Sequence, residues 1–327
     1  MIISWNTTQA CNIHCSHCYR DAGTRSADEL TTEEGKKLLS EMAKAGFKIV
    51  ILSGGEPLMR SDIYELIAHA RTVGLRPVLG TNGILITPDV ASKLKEAGLA
   101  VAGISLDSCD PNKHNHFRQA EQAWQKSVAG MEACREAGLK FQIHTTAMSW
   151  NEPEITDITD FAVKIGAIAH HIFFLVPTGR GKDIEATTLK TEQYEALLGR
   201  ILDKQGQVPI ELKPTCAPQF MRIAKEKGIA MRYSRGCLAG TGYCVIIPNG
   251  NVQPCPYLPI AVGNVKEKAF DQIWQESALF EELRHEPLKG GCGACGYDKI
   301  CGGCRARAYY YSDGDYLAEE PWCHCGR

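Results

Sequence analysis

Thr8-Gln9-Ala10-Cys11-Asn12-Ile13-His14-Cys15-Ser16-His17-Cys18-Tyr19 carries three cysteines in the spacing Cys-x3-Cys-x2-Cys. Three thiolates hold three irons of a 4Fe–4S cluster and leave the fourth iron open to a small molecule. Zinc is the other reading of the same spacing. It wants a fourth ligand, which His14 or His17 would supply. The spacing alone leaves both open.

Bulk properties narrow the field. Hydrophobic content of 44% and charged content of 23% over 327 residues suit a globular protein with a large domain and a smaller one. The formal charge of −2 and the lack of a basic arm predict no nucleic-acid partner. No apolar run has the length of a membrane span. The start, Met1-Ile2-Ile3-Ser4-Trp5-Asn6, has no basic region or cleavage site, so a cytoplasmic protein without a signal peptide is expected. The motif follows the start so closely that no N-terminal accessory domain is expected. Fifteen cysteines in a reducing compartment point to metal binding, not to a disulfide framework.

Outward from the motif, residues 1–205 alternate between strand-like and helix-like segments. Strands are expected at 2–7, 48–52, 76–80, 99–106, 140–146 and 170–176. Helices are expected at 31–45, 61–73, 88–97, 121–137, 153–165 and 191–204. Thr31-x-x-Glu34 is a capping box, and Leu38, Leu39, Met42 and Ala43 then recur on one helical face. Gly46, Gly74, Gly98, Gly138 and Gly166 each close such a segment, where a left-handed residue is expected. Lys48-Ile49-Val50-Ile51-Leu52 suits a strand of a parallel sheet. Six βα units predict an α/β fold with right-handed crossovers. They would close partly as a barrel or lie open as a doubly wound sheet, and the pattern does not choose. Residues 206–235 read as a linker. Residues 236–327 read as a cysteine-rich domain with one helix near 269–284 and otherwise weak periodicity, where bound metal would supply folding free energy.

The cysteine loop resembles the signature of the radical S-adenosylmethionine (SAM) superfamily, and Ser53-Gly54-Gly55-Glu56-Pro57 resembles its GGEP motif. The resemblance implies a partial (β/α)6 barrel of TIM type. It implies a cluster on Cys11, Cys15 and Cys18 whose open iron chelates SAM, and reductive cleavage of SAM to a 5′-deoxyadenosyl radical. Gly54, Gly55, Glu56 and Pro57, with Tyr19, Asn82 of Gly80-Thr81-Asn82-Gly83 and Ser105 of Ser105-Leu106-Asp107-Ser108, would line the SAM pocket. One departure is His17, where the superfamily usually has an aromatic residue before the third cysteine; its ring would still stack near the adenine. Arg118 is either a carboxylate partner or an exposed loop residue.

The second constellation is Cys237, Gly250-x4-Cys255, Cys292-x2-Cys295-x5-Cys301-x2-Cys304, Cys323 and Cys325. A zinc ribbon would separate its CxxC pairs by about 15–20 residues. The pattern resembles the SPASM extension of radical SAM enzymes. By that resemblance Cys237, Cys255 and Cys304, with Cys244, would hold one auxiliary 4Fe–4S cluster. Cys292, Cys295, Cys301 and Cys323 would hold a second. Cys325 competes with Cys323, so the fourth ligand of each cluster and the presence of both clusters stay open. Cys134 reads as core, and Cys109 and Cys216 as loop thiols.

The whole chain resembles the tetrapyrrole-tailoring branch of this family, that of heme d1 formation and the siroheme-dependent heme pathway. The likeness is strongest in Phe174-Leu175-Val176-Pro177-Thr178-Gly179-Arg180-Gly181 and in Cys301-Gly302-Gly303-Cys304-Arg305-Ala306-Arg307-Ala308. It implies radical removal of acetate or propionate side chains from an iron tetrapyrrole such as didecarboxysiroheme. A flavodoxin or ferredoxin would supply the reductant. Arg20, Arg25, Arg118, Arg180 and Arg235 are candidate carboxylate partners. His14, His17, His114, His116, His144, His170 and His171 are candidate ligands of the substrate iron. A SPASM peptide maturase and a non-catalytic iron–sulfur carrier are the alternatives; strand-end polar residues speak against the carrier.

Overall fold

The computed structural model describes residues 1–325. Its sheet is built from β1 (Ile2–Thr8), β2 (Ile49–Gly54), β3 (Arg76–Thr81), β4 (Val101–Ser105), β5 (Phe141–Ala147), β6 (Ala169–Phe174) and β7 (Glu211–Thr215), parallel and in chain order. β8 (Tyr243–Ile246) pairs parallel with β1, and β9 (Asn251–Gln253) and β10 (Gly263–Asn264) extend that edge antiparallel. The order is β10-β9-β8-β1-β2-β3-β4-β5-β6-β7, with no pairing between the two ends among the described residues, so the barrel is partial.

All six expected strands are present, and a seventh lies where a linker was expected. Glu211-Leu212-Lys213-Pro214-Thr215 is short and contains a proline, which weakens its reading as a strand. As an edge strand it tolerates that proline. The helices are α1 (Thr32–Lys44), α2 (Ile63–Thr72), α3 (Pro88–Glu96), α4 (Pro111–Arg118), α5 (Ala123–Glu136), α6 (Ile155–Ile165), α7 (Thr191–Gln205) and α8 (Phe220–Glu226). In the C-terminal region they are α9 (Phe270–Glu276), α10 (Ala278–His285), α11 (Gly290–Ala294) and α12 (Arg305–Tyr311).

The capping box of α1 forms as read, and the five expected helix-closing glycines have φ of +86, +85, +91, +65 and +89. Among the helices, α8, α11 and α12, of 7, 5 and 7 residues, lie where none was expected because they are too short to show a periodicity, and two further differences stand out. α4 was not expected because it has little apolar periodicity. Its start signals are local: Asp110 accepts from the Asn112 N–H, and Pro111 takes the first helical position. The helix expected at 269–284 breaks at Ser277, whose hydroxyl caps α10 at Phe280 N.

Side-chain parity separates two faces of the sheet. Ile3, Trp5, Val50, Leu52, Leu79, Ala102, Ile104, Ile143 and Ile172 pack into the main hydrophobic cluster with Leu38, Leu39 and Leu66 of the helices. The opposite face carries Ser4, Asn6, Ser53, Gly80, Ser105, Gln142, His144, His171 and Lys213. An apolar outside beneath helices and a polar inside make the barrel interior a site, not a packed core.

Candidate functional site

The cysteine loop leaves the end of β1 and is fastened at its base. Cys11 N–H donates to Gly23 O at 2.9 Å, and Gly23 N–H donates to Gln9 O at 3.0 Å. The buried Glu29 carboxylate accepts from Thr8 Oγ1 at 2.9 Å, Gln9 N at 2.7 Å and Ser26 N at 3.2 Å. At the end of β2, Gly54 holds φ +136 and Gly55 lies against the loop backbone. A Cβ on Gly55 would stand 2.1 Å from Ala10 O. The contact is sealed by Gly55 N–H to Thr8 O at 2.8 Å and Glu56 N–H to Ala10 O at 2.7 Å. The two glycines therefore seat the backbone that feeds Cys11.

Glu56 is wholly buried. Its carboxylate accepts from Thr81 Oγ1 at 2.8 Å, Asn82 N at 2.9 Å and Leu58 N at 3.1 Å. Burial raises it to about 7 against the pull of those hydrogen bonds. Pro57 opens the short turn Pro57–Met59 that follows. Asn82 Nδ2 donates to Asn12 Oδ1 at 2.7 Å, tying the end of β3 to the cysteine loop. Ser105 Oγ donates to Thr81 O at 3.2 Å, and Tyr19 Oη to Asn6 Oδ1 at 3.2 Å. The Asn6 Nδ2 and His17 Nδ1 atoms are buried without a partner among the described residues, which suits a polar ligand against this loop.

Cys11, Cys15 and Cys18 lie within electrostatic reach of one another. Burial first, then the charges of Glu56, Cys15 and Cys18, push Cys11 up to about 11. Thiols held this high ionise only when a cation arrives, which is the behaviour of cluster ligands that release protons on metal binding. Ala22 N–H donates to Cys18 Sγ at 3.4 Å, and Arg118 Nη1 lies 3.9 Å from Cys15 Sγ. Arg118 is thus not an exposed loop residue. It ends α4 and pairs with the fully buried Asp107 at 2.6 Å. Burial would raise Asp107, but the Arg118 charge holds it at about 2. His17 stacks on Phe117, with ring centroids 4.1 Å apart, so one face of its ring is covered by protein. Of the other arginines, Arg180 is bound to Cys15 O, Asp21 and Ala22 O, and Arg25 to Glu29. Arg235 Nε donates to Cys237 O, whereas Arg20 Nε is buried without a partner.

In the C-terminal region the structure places Cys216 beside three of the cysteines expected in the first auxiliary set. Cys216, Cys237, Cys255 and Cys304 form one group. Burial and then the charges of Cys304 and Cys237 raise Cys216, and the charges of Cys216, Cys304 and Cys237 raise Cys255 in turn. Cys244 stands apart. It follows Tyr243, whose hydroxyl reaches Ser4 inside the barrel, so strand parity turns Cys244 outward into the main apolar cluster. Burial and the Arg284 charge act on its thiol, and no other cysteine does. Cys216 follows β7 with φ +60, a backbone state that sequence does not announce for cysteine.

The cysteines of the second set lie together, with Cys325 among them. Cys292, Cys295, Cys301, Cys323 and Cys325 line a single cavity. Cys325 is not a bystander, since the Cys295 thiol acts on it directly. N–H groups of Glu320, Tyr297 and Cys325 donate to the sulfurs of Cys292, Cys295 and Cys323 at 3.3, 3.3 and 3.4 Å. Donors of this kind stabilise cluster thiolates and tune their potential. Between the two sets lies the fully buried pair Arg307–Glu320, at 2.9 Å. Arg307 also donates to Cys216 O at 2.7 Å, and it stacks on Trp322 at 4.4 Å. Cys134 lies in the core as read.

Comparison with known proteins gives the same picture. Residues 5–162 match the radical SAM superfamily, and residues 237–305 match an iron–sulfur cluster-binding domain, SPASM. The chain is 44% identical to the AdoMet-dependent heme synthase of Methanosarcina barkeri, covering 98% of this chain and 95% of that protein. It is 31% identical to the Fe-coproporphyrin III synthase of the same organism, over 99% and 87%. Among solved structures, Streptococcus suis SuiB bound to its precursor peptide SuiA superposes with a TM-score of 0.81 at 19% identity, over 99% of this chain and 75% of that one. That likeness establishes the shared fold. The chain belongs to the radical SAM/SPASM family, in its heme-biosynthesis branch. It is an enzyme with 4Fe–4S clusters and SAM as cofactors.

Proposed function

We propose that this enzyme forms heme from Fe-coproporphyrin III, by converting two propionate side chains to vinyl groups. The observation that carries this reading is the 44% identity, along nearly the whole chain, to a protein named for making heme. The lower identity, 31%, to a protein named for making Fe-coproporphyrin III favours propionate over acetate as the group removed.

The cluster and SAM supply a 5′-deoxyadenosyl radical when bound. We assign the first cluster to Cys11, Cys15 and Cys18, with Gly54, Gly55, Glu56, Pro57, Tyr19, Asn82 and Ser105 around SAM. We assign one auxiliary cluster to Cys216, Cys237, Cys255 and Cys304. The other falls to Cys292, Cys295, Cys301 and Cys323 or Cys325. At each propionate, –CH2–CH2–COO⁻ loses one hydrogen atom, CO2 and one electron to become –CH=CH2. The step therefore needs a one-electron acceptor.

The reading also includes a cytoplasmic setting, a flavodoxin or ferredoxin donor and no nucleic-acid partner. The net charge of −2 supports the last of these. Among the described residues, no helix is long and apolar enough to cross a membrane.

The test is anaerobic turnover of the reconstituted enzyme with Fe-coproporphyrin III, SAM and dithionite, followed by mass spectrometry. Heme and about two 5′-deoxyadenosines per heme are expected. If 5′-deoxyadenosine forms while the tetrapyrrole is unchanged, a peptide substrate replaces this one. If SAM stays intact, the carrier reading wins.

A further inference from the structure

Beyond Ser105 of the SAM pocket, three neighbouring strands place polar residues inside the barrel that neither the clusters nor that pocket uses. Ser105, His144, His171 and Lys213 are register partners in sequence across β4, β5, β6 and β7. On the outer face His170 is held by Thr159 of α6 at 2.9 Å and by Thr145 at 2.8 Å. Its neighbour His171 and, one strand over, Gln142 and His144 therefore face the interior. The His144 and His171 rings stack with centroids 5.3 Å apart and planes 9° apart. Gly103 makes the room: a Cβ there would stand 2.3 Å from His144 Cε1. Burial lowers His144 to about 4 and His171 well below the usual range, so both rings are neutral at neutral pH. The Arg118 guanidinium, which lies 3.9 Å from Cys15 Sγ, also acts on His144, so His144 is the member of the pair on the side of the cysteine loop.

One amide organises the pair. The Gln142 amide nitrogen position lies 2.7 Å from His144 Nε2 and 3.4 Å from His171 Nδ1. An amide rotates by half a turn at little cost, and its orientation follows its partners. As placed, the amide nitrogen donates towards the two rings; turned by half a turn, the Gln142 carbonyl oxygen accepts from His144 Nε2–H and His171 Nδ1–H, and that is the orientation taken here. His171 Nε2 then carries a lone pair, and it has no hydrogen-bond partner among the described residues. An imidazole whose Nδ1–H is fixed by a carbonyl while Nε2 is left open is the arrangement found in metal ligation.

We propose that His171 Nε2 is an axial ligand to the iron of the tetrapyrrole substrate, with Gln142 and His144 positioning its ring. This rests on the tetrapyrrole reading above. It places the macrocycle in the row that begins at Ser105, beside the SAM pocket, where its side chains meet the radical.

The test uses the cluster-loaded enzyme with Fe-coproporphyrin III, and with metal-free coproporphyrin III as the control. Resonance Raman of the ferrous complex is expected to show an iron–imidazole stretching band that shifts with 15N-histidine labelling. His171→Ala removes the band, and added imidazole restores it. The same variant weakens binding of the iron form by about tenfold or more, as for loss of a metal contact, while binding of the metal-free form is unchanged. A band that persists in His171→Ala, or equal weakening of both forms, overturns the assignment and leaves the substrate reading standing. If wild type binds neither form, the substrate reading fails and the ligand assignment falls with it.

Discussion

Gly55→Ala tests the link between the glycine pair and the first cluster. The added Cβ would lie 2.1 Å from Ala10 O and 2.7 Å from Ala10 C, both backbone atoms with no rotamer to escape into. Either β2 or the cysteine loop must move by about an ångström, which is overpacking at about 1–3 kcal/mol. The movement also strains the Gly55–Thr8 and Glu56–Ala10 hydrogen bonds, at about 1 kcal/mol each. The sum is about 3–5 kcal/mol, and it falls on the residues next to Cys11. The auxiliary sites draw no ligand from this loop, so they are spared. Anaerobic reconstitution is expected to fall from about 12 to about 8 irons per chain, with loss of the SAM-responsive signal in electron paramagnetic resonance. Gly74→Ala is the control. That residue has φ +85 and open space where the methyl would stand, so it costs about 1 kcal/mol of stability and no iron. Full iron content and unaltered SAM binding in Gly55→Ala would refute the reasoning.

Further outcomes follow from the other contacts. Cys216→Ala is expected to lose one auxiliary cluster, seen as about four fewer irons, whereas Cys244→Ala keeps its iron and loses about 1–2 kcal/mol of packing; the reverse result would return Cys244 to the cluster. Glu56 sits at about 7 against an ordinary 4.5, so the stability tied to its protonated form is complete below 4.5 and is lost as pH rises through 7. That swing is about 3 kcal/mol. Denaturant titrations without SAM should show wild type losing it relative to Glu56→Gln over that range, and parallel curves would contradict the buried carboxyl. Arg118→Met leaves Asp107 buried without its cation and should cost about 3–5 kcal/mol, with part recovered in the double variant with Asp107→Asn. A loss below about 1 kcal/mol would show that the pair is not held as described.

Much of this molecule was legible in its residues alone. Apolar runs gave the first six strands, because each buries one face under helices. Helix ends were legible from Thr31, Glu34 and the left-handed glycines. β7 was hidden by Pro214 and by its polar inward positions, and α4 by its polar surface. Cys11, Cys15 and Cys18 were legible as a group because they are local in sequence. The groupings of the C-terminal cysteines were less so, because their neighbours are distant in the chain. Cys244 lay nearer in sequence to the other ligands, but strand parity turned it into the core. Cys216 lay in a stretch without periodicity, and only the fold brought it beside Cys304. Arg118 and Asp107 were visible as residue types, but their mutual burial needed the packing of α4 over the end of β4. The Gln142–His144–His171 group depends on cross-strand register, which no single strand reveals.

The most direct measurement is isotope transfer. Fe-coproporphyrin III deuterated at the propionate carbons next to the ring is turned over anaerobically, and the 5′-deoxyadenosine is weighed by mass spectrometry. Hydrogen abstraction from the ring-adjacent carbon predicts deuterium in 5′-deoxyadenosine and heme with two vinyl groups. Unlabelled 5′-deoxyadenosine beside unchanged Fe-coproporphyrin III would contradict the account.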